Sequence, residues 1–154
     1  MSSFAPERIF SALGEAGVDY VTVGGIAVMA HGVVRATLDI DLIPAGSPEN
    51  LRRLANALRA LRGVPHGEPG TPVTAQLLAR DANMRFDTSA GQVDVLASAA
   101  YGDLYPDLRA RAEVISLEDV EVIVASRADL IRLKAGTGRD RDLLDIGDLL
   151  ALDE

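Results

Sequence analysis

The chain has 154 residues, a net charge of −8 and no cysteine, with 48% hydrophobic and 25% charged residues. That balance can bury a core of ordinary size, so it excludes a disordered chain, a disulfide framework, a cysteine zinc site and a thiol nucleophile. An acidic field repels polyanions, which argues against unassisted binding to DNA or long RNA but leaves a nucleotide open, because divalent cations screen a small anion locally.

Pro6 opens a helical pattern through about Glu15, with Ile9, Phe10 and Leu13 on one face and Gly14 and Gly17 closing it. The N-terminal residues include Glu7 and Arg8 and no apolar signal core, so a cytoplasmic address is the expectation. Val18 to Val23 is a β-branched run and predicts a strand. Gly24-Gly25 breaks it, and Ile26 to His31 follows as a short helix ended by Gly32. The apolar stretch from Val18 to Val34 is too short and too interrupted to span a bilayer. Leu38 to Ile43 alternates strictly, with Leu38, Ile40 and Leu42 on one face and Asp39 and Asp41 on the other, which is a strand of period two.

Pro48 to Leu61 fits an amphipathic helix with Leu51, Leu54, Leu58 and Leu61 inward. Gly63 to Thr74 is rich in Pro and Gly and predicts a loop. Met84 to Thr88 and Gln92 to Leu96 form two strands of a hairpin joined at Ser89-Ala90-Gly91. Tyr101 to Arg111 shows no clear period and is taken as irregular. Ala112 to Ile115 and Val120 to Val124 are further short strands. Ser126 is a good N-cap for a helix to about Ala135, and a last helix runs from about Arg139 to Leu150. No internal repeat occurs, and a single domain over residues 1–154 is expected. The element order predicts an α/β (α+β) fold, with a mixed, partly antiparallel sheet flanked by helices.

Three features carry chemistry. Gly24-Gly25 lies between a strand and a helix, where glycine lets backbone approach a ligand and the helix start favours an anion. Neither G-x-G-x-x-G nor G-x-x-x-x-G-K-[ST] is present, so the dinucleotide fingerprint and the P-loop are absent. Asp39 and Asp41, two apart on a strand, point their carboxylates the same way, and such hard oxygen ligands suit Mg²⁺. Asp94 sits on another predicted strand and can face the same site if the two strands are neighbours. Three carboxylates can hold two metal ions roughly 3.5–4 Å apart, the arrangement that clamps an in-line phosphoryl displacement. Taken singly, each has a plainer reading: a turn, a solvated strand face, an exposed acid.

In their joint order, the run from Val21 through Gly24-Gly25 to Asp39-Ile40-Asp41-Leu42 resembles the signature of the nucleotidyltransferase superfamily. With Arg35-Ala36-Thr37 before the acids, and Leu133-Lys134-Ala135-Gly136 followed by Arg139-Asp140-Arg141-Asp142-Leu143-Leu144-Asp145-Ile146, the chain looks like the AbiEii-type and related small bacterial nucleotidyltransferase-like proteins. The resemblance implies a nucleotidyltransferase fold. It implies that Gly24 and Gly25 cradle the triphosphate of an NTP, and that Asp39 and Asp41 bind two Mg²⁺ ions. It makes Asp94 the third carboxylate, which shares one metal and helps deprotonate the attacking hydroxyl. Lys134 is expected to contact the nucleotide phosphates, with Arg35 and Thr37 assisting on phosphate or orienting the acids. Many active members have Gly-Ser where this chain has Gly24-Gly25; Gly25 lacks the hydroxyl that bonds the terminal phosphate.

The implied activity is Mg²⁺-dependent transfer of a nucleoside monophosphate from an NTP to an acceptor hydroxyl on RNA, protein or a small molecule. Two alternatives stand beside it. One is a toxin–antitoxin component, with a cognate partner protein, or a catalytically inert nucleotide-binding module. The other is a small-molecule (antibiotic) nucleotidyltransferase. Plainer readings apply elsewhere: Arg35 as an ion-pair partner of Asp142 or Asp145, Thr37 as a β-former, His31 at a helix end and His66 in a loop. Asp140, Asp142, Asp145 and Asp148 are expected at a helix start and on its solvated face.

Overall fold

The computed structural model describes residues 4–34, 37–136 and 139–152. Its frame is one mixed sheet. Strands β1 (Tyr20–Val23), β2 (Asp39–Pro44), β3 (Val64–Pro65), β4 (Asn83–Thr88), β5 (Gly91–Leu96), β6 (Glu113–Leu117) and β7 (Val120–Val124) are ordered β3-β4-β5-β2-β1-β7-β6. The neighbours β2 and β5 run parallel, as do β1 and β7, while the other pairs are antiparallel. The parallel β2–β5 contact matters most, because it sets two strands that are remote in sequence side by side.

Helices α1 (Pro6–Ala16) and α3 (Pro48–Ala60) pack on one another and on the sheet. Their apolar stripes are the ones the 3.6-residue period marks: Ile9, Phe10 and Leu13 in α1, and Leu51, Leu54 and Leu58 in α3, are buried, as is Leu61 just beyond. Gly17 ends α1 in the left-handed conformation, φ 72°, where its N–H bonds back to the carbonyl of Gly14. The Ser47 hydroxyl accepts from Asn50 N–H at 3.2 Å to cap α3. Ile40, Leu42, Phe86, Val93 and Val95 fill the core from three adjacent strands. Helices α6 (Arg127–Ala135) and α7 (Asp140–Ala151) pack together, and α6 also meets the short α2 (Gly24–Ala30). Among the described residues no helix is long and apolar enough to cross a membrane.

Five local differences from the sequence expectation have physical causes. Tyr101 to Arg111 is not irregular: α5 spans Ala99–Arg111. It has a glycine and an internal proline, Pro106, and buries only Leu108, so no apolar stripe announces it. The Pro/Gly-rich segment after α3 holds the two-residue strand β3, and a one-turn helix, α4 (Ala75–Leu78), follows under a Thr74 cap. Helix α2 starts on Gly24 itself rather than at Ile26. Leu38 lies outside β2 and is 75% exposed, so the buried face of that strand begins at Ile40. The hairpin loop between β4 and β5 has two residues, Ser89 and Ala90, because Thr88 pairs with Gly91. Glu118 and Asp119, both at positive φ, make the other tight turn, between β6 and β7.

Candidate active site

Strand alternation puts Asp39 and Asp41 on the face of β2 opposite Ile40 and Leu42. The parallel register then sets Asp41 beside Asp94 and Asp39 beside Gln92 on β5. Each of the three aspartates offers a carboxylate oxygen, and those oxygens lie within 4.8 Å of one another. Thr37 donates its hydroxyl to Asp39 Oδ1 at 3.2 Å, which fixes that carboxylate from the chain just before the strand.

The glycine turn joins this site through β1. Val23 is opposite Asp41 in the antiparallel β1–β2 ladder, so the chain turns into α2 directly beside the carboxylate. Gly24 has φ 72°, and a Cβ on it would run into Asp41 Oδ2. Both the backbone conformation and the room for Asp41 therefore require glycine. Gly25 is buried in the first turn of α2.

Crowding of like charges perturbs the site. Burial, then the charges of Asp39 and Asp94, push the Asp41 carboxyl up to about 7, while Lys134 pulls it down. Three carboxylates at this separation call for a positive charge between them. The donor set is all oxygen, the chemistry that suits Mg²⁺.

Part of that positive charge comes from Arg85, a residue that the sequence reading did not single out. It lies directly across the β4–β5 ladder from Asp94. Its Nε donates to Asp94 Oδ1 at 2.8 Å and one terminal nitrogen donates to Oδ2 at 3.1 Å. The same nitrogen is 3.7 Å from Asp39 Oδ2. The signal for it was the hairpin register. A three-residue turn would have set Phe86 opposite Asp94, whereas the two-residue turn sets Arg85 there.

On the other side of Asp41 a cavity of about 250 Å³ opens, lined by Gly24, Asp41, Lys134 and Arg139 together with Leu96 and Tyr101. Lys134 is buried, and its ammonium donates to Asp142 Oδ1 at 3.0 Å and lies 2.9 Å from Asp145 Oδ2. Arg139 donates to the second oxygen of Asp142 at 2.7 Å. The expectation that Asp142 and Asp145 lie on a solvated face is thus overturned, for both are nearly inaccessible. They share the inward stripe of α7 with Leu149, while Leu143, Leu144 and Leu150 face out. Asp148 is exposed, as expected. Arg35, expected as an ion-pair partner of Asp142 or Asp145, lies outside the described residues; among the described residues Lys134 pairs with both acids and Arg139 with Asp142.

The histidines have structural partners. His31 stands at the C-cap of α2, where its backbone N–H donates to the Ala27 carbonyl while its Nε2 lies 2.9 Å from the Ala125 carbonyl, and His66 Nδ1 is 2.9 Å from Asp87 Oδ2. A third buried acid outside the triad is Asp129. Burial raises its pKa, but hydrogen bonds from Arg111, Arg132 and Ser126 outweigh that and hold it low. Its bidentate pair with Arg111, at 2.9 and 3.0 Å, ties the end of α5 to α6.

Several solved structures share this architecture. The lincosamide antibiotic adenylyltransferase LnuA, with lincomycin bound, superposes with a TM-score of 0.63 at 15% identity, covering 96% of this chain and 98% of that one. ANT(2")-Ia in complex with adenylyl-2"-tobramycin gives 0.62 at 16% identity, over 97% and 87%. A putative nucleotidyltransferase from Thermotoga maritima gives 0.63 at 13% identity, over 97% and 96%. Identities this low speak to the fold, which is the nucleotidyltransferase fold. No curated protein matches the chain by sequence. Residues 9–153 match the model of a family described as nucleotidyltransferase of unknown function (DUF6036). Since that match runs from within the first helix to beyond the last, the chain belongs to this family of nucleotidyltransferases.

Proposed function

We propose that the protein is a Mg²⁺-dependent nucleotidyltransferase that moves a nucleoside monophosphate from a nucleoside triphosphate to a hydroxyl of a small, cationic acceptor. The observation that carries this reading is the convergence of Asp39, Asp41 and Asp94 within 4.8 Å, beside a positive-φ glycine, Gly24, whose missing Cβ leaves Asp41 its place. Asp39 and Asp41 would hold the metal, with Asp94 as the third ligand. Bound there, Mg²⁺ would neutralise phosphate charge and polarise the reacting oxygens.

The chain's own groups account for the remaining requirements. Gly24 leaves Asp41 its place, and Thr37 fixes the direction of Asp39. The cavity beyond Asp41 gives the nucleotide an apolar wall at Leu96 and Tyr101, and a polar one at Lys134, Arg139 and Asp142. Asp94 accepts the proton of the acceptor hydroxyl as that oxygen attacks the α-phosphorus. The bond from phosphorus to the bridging oxygen of pyrophosphate then breaks. A cationic acceptor suits the net charge of −8. A small acceptor is favoured by the molecules bound to two structural neighbours, lincomycin in LnuA and adenylyl-2"-tobramycin in ANT(2")-Ia.

The test is a panel of hydroxyl-bearing amines incubated with α-labelled NTPs and Mg²⁺. Labelled product and pyrophosphate are expected, both lost in Asp39→Asn/Asp41→Asn. Label transfer that survives in that double variant would sink the proposal. Calorimetric binding of NTP with Mg²⁺ but no turnover on any acceptor would instead identify an inert nucleotide-binding module.

A further inference from the structure

The fork of Arg85 engages both oxygens of Asp94 and reaches toward Asp39, so a guanidinium lies against two of the three carboxylates proposed to hold metal. Its accessibility differs from theirs. The Arg85 side chain is 44% exposed and that of Asp94 16%, so the cation approaches from the solvent side. It also hangs from a ladder position that is held by backbone pairing whatever its side chain does. A divalent ion bound at Asp94 would repel a guanidinium a few ångströms away and compete with it for the same two oxygens.

We propose that Arg85 is a positioning residue that serves as a resident counter-cation: it holds Asp94 and Asp39 in place until a divalent ion enters, and then gives up Asp94. This rests on the reading of the triad as a metal site. It deepens that reading, because Asp94 cannot take a proton from an acceptor while Arg85 occupies both its oxygens. Withdrawal of Arg85 on metal entry would leave an oxygen of Asp94 for that proton. The cost of displacing Arg85 also lowers the intrinsic metal affinity of the site.

The test is a Mn²⁺ titration followed by electron paramagnetic resonance at low ionic strength, without nucleotide, on the full chain. Arg85→Gln is expected to tighten Mn²⁺ binding about ten-fold, and Arg85→Lys by less, since it keeps the charge but loses the fork. In an Asp94→Asn background the gain from Arg85→Gln should shrink to roughly two-fold or less, because the contact through which it acts is gone. Arg85→Met serves if Arg85→Gln fails to fold by circular dichroism. Unchanged or weaker Mn²⁺ binding in the folded variant overturns the inference, as does an equal gain with and without Asp94. If the wild type binds Mn²⁺ and only the variant's gain is missing, the metal site stands and the role of Arg85 falls. If neither protein binds Mn²⁺, both fall.

Discussion

Replacing Asp41 by Asn should stabilise the metal-free protein at pH 8 while abolishing metal-dependent transfer. Burial and the neighbouring charges hold the Asp41 proton to about pH 7, whereas an unfolded chain releases it near ~4. The folded pKa lies above the unfolded one, so between those values the folded state binds the extra proton. Stability therefore falls as pH rises through that window and stays low above it. Each pH unit is worth ~1.4 kcal/mol, so the full gap would come to ~4 kcal/mol. Partial exposure of the site and coupling among the three acids roughly halve this, to ~2 kcal/mol. Asparagine is neutral at every pH and keeps the shape. The variant should melt ~4–8 °C above the wild type at pH 8 in EDTA, with the gap reduced to about a third at pH 5. Added Mg²⁺ should reverse the order, because only the wild type gains from binding it. Thermal melts at both pH values, with and without Mg²⁺, are the assay. A variant that melts at or below the wild type at pH 8, or one whose advantage does not depend on pH, refutes the reasoning.

Other substitutions test other parts of the site. Gly24→Ala should lower kcat about 100-fold or more with only a modest loss of Tm, because the added Cβ displaces Asp41 while the strain at positive φ is worth ~1–2 kcal/mol; steady-state kinetics beside a melt checks both. Lys134→Met removes a buried cation from Asp142 and Asp145 and should cost about 3–5 kcal/mol in urea unfolding. Adding Asp142→Asn and Asp145→Asn should recover most of that loss. If NTP binding stays weak in the recovered triple variant, Lys134 contacts phosphate as well as holding the helices together. Asp129→Asn should destabilise by about 2–4 kcal/mol at pH 7. Its pKa is lowered by folding, so the wild-type advantage is present above the unfolded value and is lost as pH falls through the folded one; urea midpoints at pH 7 and pH 3 report it.

The parts of the site that were legible in the sequence are those set by local periodicity. Alternation along β2 placed Asp39 and Asp41 on one face before any contact was known, and the helical stripes of α1 and α3 followed from the spacing of their leucines and aromatics. Turn length and helix phase were harder. One residue too many in the β4–β5 turn rotates every cross-strand pair, and that hid Arg85 opposite Asp94. In α7 the acids occupy the inward stripe and several leucines face out, the reverse of the usual pattern, because a buried lysine on α6 compensates them. Only tertiary packing contains that information. Helix α5 was invisible for a related reason: with a proline inside and one buried leucine, its helicity is fixed by neighbours, including the Asp81 carboxylate that accepts from Ala99 N–H at 2.7 Å.

The distribution of buried charge separates the site from its supports. Asp129 has two arginines and a serine cap, and Asp142 and Asp145 share Lys134, with Arg139 on Asp142. These acids are neutralised by residues of the same or adjoining helices, which is how a structural charge survives burial. At Asp39, Asp41 and Asp94 the compensation is of another kind. Arg85 reaches two of the carboxylates from the solvent side, and Lys134 acts on the third through its field while bound to Asp142 and Asp145. Asp41 consequently retains a proton into the neutral range. A cluster built only for stability would lower that repulsion with a cation on Asp41 itself, whereas this cluster keeps it, and Gly24 leaves Asp41 its place in it. The excess negative charge fits the cation site proposed above, and the stability gain of Asp41→Asn measures how large that excess is.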